Sequence, residues 1–261
     1  MNMFAKTMLV TAALFVTALV TTNCFASSLK EAADATYKLY QGNDGICSMT
    51  FVGNDEDGAI FLTARHCVDG KDLNFRVQKL NDKYEVIGEE IHYLKVLRQV
   101  KDDDTAILQV TDKTVALAIP AVEIATPDEA KSLEFGQDLV VLGFPAADQK
   151  SVTKGNFTAK VKGVLGVTEQ YQTTVPVAGG NSGGGLYTDF CVDTTPNDGN
   201  SVATCEYKLI GTTSASRIDN TIMSYFSTAE AVKRVLAGYL HNTSAAPINL
   251  DQLPGGRVDE K

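Results

Sequence analysis

Short stretches rich in β-branched and aromatic residues, cut at intervals by Gly, Asn and Asp, limit the fold of this chain more than any other feature. Ser48–Gly53, Ala59–Ala64, Asn74–Leu80, Tyr84–Leu97 and Thr105–Val110 form one set of predicted strands. A second set runs over Asp138–Phe144, Asn156–Val167, Tyr171–Val177, Gly184–Thr188, Tyr207–Ser214 and Thr221–Ser227. Between the sets lies Ala116–Glu134, with two prolines and alternating small and acidic residues, which reads as a connection. Two such runs predict an all-β chain of two antiparallel six-stranded barrels, an architecture with few open edges.

Helical signals stand at the two ends. Ser28 and Glu31 form a capping-box pattern, and Leu29, Ala32, Ala33, Thr36, Tyr37 and Tyr40 share one face, predicting a short helix over Ser28–Tyr40. Ser227 and Glu230 repeat the pattern ahead of Val232, Val235, Leu236, Tyr239 and Leu240, predicting an amphipathic helix that closes the second barrel. The expected organisation is a leader over residues 1–26, a helical segment over 27–43 and a first barrel over 44–115. A connection over 116–134, a second barrel with its helix over 135–241 and a loose tail over 242–261 follow. The tail is too short for a further folded module.

The leader reading rests on Lys6, the apolar run Met8–Val20, and small residues at Cys24 and Ala26 that set a cut before Ser27. The run is too short to span a bilayer comfortably. Lipidation at Cys24 is disfavoured by Thr21, Thr22 and Asn23 before it. The expectation is therefore an exported, soluble protein, periplasmic or secreted, without stable membrane association. A formal charge of −9 argues against nucleic acid, whose phosphates need clustered Lys and Arg. Beyond Cys24 the cysteines are Cys47, Cys67, Cys191 and Cys205. An even number in an exported chain reads as two disulfides; three pairings are open, and the local one joins Cys47 to Cys67 and Cys191 to Cys205. No CxxC or HxxxH spacing supports a metal, so none is expected. Asn54–Gly58 lacks a full calcium-loop pattern and reads as a turn.

Three separated motifs carry chemistry. Gly179–Gly185 holds Ser182 among glycines that allow positive φ and close backbone approach. The amides of Gly180 and Ser182 can then converge on a developing oxyanion. His66 follows the apolar strand Ala59–Leu62 and precedes Cys67, whose disulfide would hold it in place; His92 and His241 read as bystanders. Asp104 directly precedes an apolar strand, unlike its neighbours Asp102 and Asp103, which remain the alternatives. A serine hydroxyl is a weak nucleophile, so it needs a base, and the base needs an orienting acid. The order His…Asp…Ser supplies all three.

Thr63-Ala64-Arg65-His66-Cys67, Asp104-Thr105-Ala106-Ile107-Leu108 and Gly180-Asn181-Ser182-Gly183-Gly184 together resemble the trypsin-like (chymotrypsin-fold) serine peptidases. The bacterial branch with glutamyl endopeptidases and the protease domains of periplasmic heat-shock proteases is the most similar. Phe135–Pro145, Val152–Gly155 and Tyr171–Thr173 also match it, and the resemblance runs from Asp44 to Leu240. It implies a site between the two barrels, with His66 as general base, Asp104 as its orienter and Ser182 as nucleophile. It further implies oxyanion amides on Gly180 and Ser182, a polypeptide substrate, no cofactor and a monomer. Ser214 matches the serine that supports the aspartate and borders the substrate.

Departures from the family pattern shape further expectations. Arg65 replaces the usual alanine, pointing to solvent or toward substrate. Asn181 stands where digestive members carry an aspartate that pairs with a new N-terminus, so no such activation switch is expected. Pro176 falls at the base of the specificity pocket, with Val177 beside it; neither is charged, which argues against a Lys or Arg preference at P1, the residue before the cut. Thr213 replaces the histidine of glutamyl endopeptidases, and Ser216 narrows the pocket wall. The pattern implies uncharged P1 residues. The long loop Asp189–Cys205 either overhangs the leaving-group side or is inert. The competing readings are a catalytically silent binding module and an esterase using the same triad.

Overall fold

The computed structural model describes residues 25–26, 28–81, 83, 85–162, 166–194, 202–216 and 223–237. Residues 1–24 of the expected leader over 1–26, Ser27, His241 and the tail over 242–261 lie outside these residues. Two closed six-stranded antiparallel barrels make up the chain. In the first, β1 (Thr36–Gln41), β2 (Asp44–Asp55), β3 (Gly58–Ala64), β4 (Leu73–Leu80), β5 (Val86–Val100) and β6 (Thr105–Val110) are ordered β1-β2-β3-β6-β5-β4. The second contains β7 (Asp138–Gly143), β8 (Ser151–Lys162), β9 (Glu169–Thr173), β10 (Gly185–Thr194), β11 (Val202–Ser216) and β12 (Ser224–Ser227), in the equivalent order β7-β8-β9-β12-β11-β10.

Each barrel closes on its own apolar filling. Phe51, Phe61 and Phe75 are fully buried in the first, where Tyr37 packs edge-on against Phe61 at 5.6 Å between centroids. Every residue of β3 and β6 is buried, so the two strands read as largely apolar runs, broken only by Thr63, Thr105 and Gln109, rather than alternating ones. Leu139, Val141, Tyr171, Leu186, Ile210 and Phe226 fill the second barrel.

Several elements differ from the sequence reading. The N-terminal helix α1 spans only Leu29–Asp34; its Ser28–Glu31 capping box forms, and Thr36–Gln41 continues as β1. The period-3.6 face lost because β1 pairs with both β2 and β4 and closes the barrel. The connection Ala116–Glu134 is partly ordered. Thr126 and Glu129 form a capping box that starts α2 (Pro127–Lys131), and Phe25–Ala26 pairs in parallel with Ala121–Val122. The expected loop from Asp189 is instead a hairpin: β10 and β11 pair through Cys191↔Cys205 and on to Thr194↔Val202.

The C-terminal helix α3 spans Ala229–Leu236, with Thr228 rather than Ser227 as its cap; Tyr239 and Leu240 lie outside the described residues. Its apolar face does more than close the second barrel. It packs on β11 and also on β5 and β6 of the first, and Val232, Val235 and Leu236 join the first barrel's core. Among the described residues no helix is long and apolar enough to cross a membrane.

Candidate active site

The site lies where ends of β3, β6, β10 and β11 meet. His66 sits on a single 3-10 turn, Arg65–Cys67, that ends β3. Asp104 occupies the left-handed region (φ 49°, ψ 42°) between a 3-10 turn, Lys101–Asp103, and β6. Asp and Asn adopt this conformation with less strain than most side chains. Here it turns the carboxylate toward His66. Asp104 Oδ2 lies 2.9 Å from His66 Nδ1, Oδ1 accepts from the His66 backbone N–H at 3.1 Å, and the Asp104 carbonyl accepts from Arg65 N–H at 3.1 Å. Ser214 Oγ donates to Oδ2 at 2.5 Å. Asp104 is 8% exposed, so its lone pairs are used within the protein.

The hydrogen bond from Asp104 raises the pKa of His66 above its ordinary 6.5, against the opposing effect of burial. Asp103, the rival for this role, points elsewhere. Arg234 of α3 grips it with two bonds, Nε to Oδ2 at 2.8 Å and Nη2 to Oδ1 at 2.9 Å. Asp102 contributes its carbonyl to Thr168 N–H at 2.7 Å. Arg65 is paired with Asp69 at 3.2 Å.

Ser182 enters from the second barrel. Its carbonyl accepts from Ser48 N–H at 2.8 Å and lies 3.8 Å from Cys67 Sγ. Cys47 and Cys67 are joined in a disulfide, so the nucleophile loop rests on the same staple that carries His66. The Ser182 hydroxyl has no hydrogen-bond partner among the described residues. Contacts of this kind are often long before substrate binds and tighten with it.

Close packing dictates the glycines. A Cβ on Gly183 (φ +81°) would lie 2.1 Å from Thr63 Oγ1, and one on Gly180 (φ +90°) would lie 2.4 Å from both Ala147 N and Phe144 O. Within the loop the N–H groups of Asn181, Gly183 and Gly184 are bound to Ala178, Thr213 and Asn181 carbonyls. Those of Gly180 and Ser182 have no acceptor among the described residues. Thr213 is spent on this loop, its hydroxyl donating to Gly184 O at 3.1 Å.

Asn181 is 1% exposed, and its Oδ1 has no partner among the described residues. A carboxylate there would be a buried, uncompensated charge, which is strongly disfavoured. Pro176 is exposed and Val177 half-buried against the second core. Ser216 ends β11, and its side chain is outside the described residues. A second disulfide joins Cys191 to Cys205 across the β10–β11 hairpin. Two residues that shape the site escaped the sequence reading. Ser48 was hidden in an apolar strand, its only signal being a polar residue inside a buried run. Arg234 was hidden on a helix face read only for its apolar stripe.

No curated protein matches the chain. Among solved structures it is similar to Rv3671c from M. tuberculosis H37Rv, with 17% identity and a TM-score of 0.55 over 82% of this chain and 91% of that one. The serine endoprotease from Yersinia pestis matches with 19% identity and a TM-score of 0.55 over 79% of this chain and 63% of that one. The HtrA-type protease AlgW, with a decapeptide, matches with 16% identity and a TM-score of 0.57 over 80% and 65%. The chain thus spans less than two thirds of the last two. At these identities the likeness shows the fold. The trypsin-like peptidase domain model, by contrast, matches residues 47–189, more than half of the chain and a span that holds His66, Asp104 and Ser182. With that span and two six-stranded barrels, the chain belongs to the trypsin-like serine peptidases, hydrolases that cut peptide bonds.

Proposed function

We propose that the protein is an exported serine endopeptidase with Ser182 as nucleophile, His66 as general base and Asp104 as its orienter. Ser182 Oγ attacks the scissile carbonyl as its proton passes to His66 Nε2. The oxyanion is held by the Gly180 and Ser182 amides. His66 then protonates the leaving amine, and water, deprotonated by the same imidazole, hydrolyses the acyl-enzyme. One observation carries this reading: the run of contacts from Ser214 Oγ through the Asp104 carboxylate to His66 Nδ1 leaves Nε2 as the free ring nitrogen. The paired unbound amides on either side of Asn181 support it. A fluorophosphonate probe is expected to label the wild type and not Ser182→Ala. A folded wild type that stays unlabelled refutes the proposal.

Export agrees with the two disulfides, which persist in oxidising compartments. The leader over 1–26 belongs to the same proposal, as do the domain limits above, with the start of the first barrel moved back to β1 at Thr36. So does an activity independent of a freshly cut N-terminus, since Asn181 offers no carboxylate for an α-amino group. The preference is for uncharged residues at P1, supported by Pro176 and Val177, with Ser214 and Ser216 bordering the substrate. Cleavage profiling on a proteome-derived peptide library is expected to return uncharged P1 residues; enrichment of Lys or Arg overturns that part.

A further inference from the structure

Ser48 lies in β2, between disulfide-bonded Cys47 and Met49, and is fully buried. Each of its polar groups is engaged with a segment of the site. Its N–H donates to the Ser182 carbonyl at 2.8 Å, and its carbonyl accepts from Thr63 Oγ1 at 2.8 Å, on the strand that leads to His66. Its hydroxyl accepts from Phe144 N–H at 2.9 Å and donates to the Gly180 carbonyl at 2.7 Å. A first-barrel side chain thus joins the end of β7 to the loop of the nucleophile.

The conformation of Gly180 is set by the two peptide planes flanking it. One is held through the Gly179 carbonyl, which accepts from Ala146 N–H at 2.5 Å. The other is held by Ser48 through the Gly180 carbonyl and by the Ala178 carbonyl, which accepts from Asn181 N–H at 3.1 Å. Glycine has little intrinsic preference for one sign of φ, so nothing in residue 180 itself keeps its amide aimed. The Gly180 N–H belongs to the first plane; loss of the Ser48 bond weakens the hold on the second, so that the Gly180 α-carbon can shift and carry its N–H away from the reaction centre. We propose that Ser48 is a positioning residue for the oxyanion amides, its hydroxyl holding the Gly180 carbonyl so that the Gly180 α-carbon stays in place and its N–H stays directed at the Ser182 reaction centre. This rests on the reading of Ser182 as nucleophile.

The test compares wild type, Ser48→Ala and Ser48→Gly in the full chain. Both variants remove the hydroxyl but differ in size and backbone freedom. Measured are kcat and KM on a peptide substrate, the inhibition constant of a peptide aldehyde of the same sequence, and the thermal midpoint. Thr228→Ala, which loses the buried cap bond to Ala231 N–H, serves as a stability control remote from the oxyanion amides. Deleting an oxyanion donor outright costs about 10²–10³ in rate, so loosening one is expected to lower kcat by about ten- to a hundred-fold. KM should stay within about twofold, and the aldehyde, whose hemiacetal oxygen uses the same amides, should weaken in step with kcat. Wild-type kcat and aldehyde affinity in either variant overturn the inference. So does a kcat loss that Thr228→Ala reproduces at an equal loss of thermal midpoint. A wild type that neither labels with fluorophosphonate nor cleaves peptide overturns the nucleophile reading, and this inference with it.

Discussion

Asp104→Asn is expected to lower kcat by about 10⁴-fold while leaving the fold intact. The carboxylate accepts from His66 Nδ1, which keeps that proton in place and leaves Nε2 free to take one from Ser182. An amide can donate to Nδ1 instead. The imidazole then carries its proton on Nε2 and cannot act as a base. The backbone should tolerate the change, because asparagine suits the left-handed conformation at residue 104. Kinetics and thermal unfolding on one preparation check both halves; a rate within about tenfold of wild type rejects Asp104 as the orienter.

The same contact fixes a pH dependence. Asp104 raises the pKa of His66 above 6.5, so the acid limb of kcat/KM should have its midpoint above that value. In Asp104→Asn the limb should move toward lower pH. Stability runs the other way. The contribution of the protonated His66–Asp104 pair is full below pH 6.5 and is lost as pH rises through the raised pKa. Activity therefore appears over the window in which this pair weakens. Rate profiles and thermal midpoints across that window test the sign of each.

The second large effect concerns stability. Arg234→Leu is expected to cost about 3–5 kcal/mol, because it strands the Asp103 carboxylate. That side chain is only 2% exposed, and Arg234 holds both of its oxygens. For a chain of this size the loss corresponds to a fall of roughly 6–20 °C in thermal midpoint. Removing both charges, in Asp103→Leu with Arg234→Leu, should recover much of it, since no unpaired charge remains. Asp103 directly precedes Asp104, so the single variant should also lose activity beyond its loss of folded protein. An unchanged midpoint in Arg234→Leu would show that the pair is solvated and does not anchor α3.

Much of this was legible from the residues alone. β3 and β6 are buried on every side, and such strands appear in sequence as mostly apolar runs, so Ala59–Ala64 and Thr105–Val110 were found nearly to the residue. Other elements were ambiguous for definite reasons. Thr36–Tyr40 satisfies a helical stripe and a strand equally well, and only pairing with β2 and β4 decides between them. The hairpin beyond Asp189 is rich in polar residues, which made a paired ladder look like a loop. In the acidic triplet Asp102–Asp104, the strand start singled out Asp104, but no local rule assigns the tasks of Asp102 and Asp103. Arg234 takes Asp103 and His66 takes Asp104, while Asp102 meets Thr168 through its carbonyl.

The sequence by itself determined the chemistry available to this protein. One histidine, one acidic run and one glycine-rich serine loop, in that order between strand-forming runs, admit few reactions. It also determined that Gly180 and Gly183 carry no side chain, where the packed loop leaves no space for a Cβ. The tertiary structure alone decided what holds Asp103, Asp104 and Gly180 in place, and that Ser48 and Arg234 brace the site. The reason is the range of the interactions. Strand pattern and turn chemistry act between residues a few positions apart. The contacts that aim Asp104 and Gly180 join segments more than a hundred residues apart, and they exist only once two barrels have closed against each other.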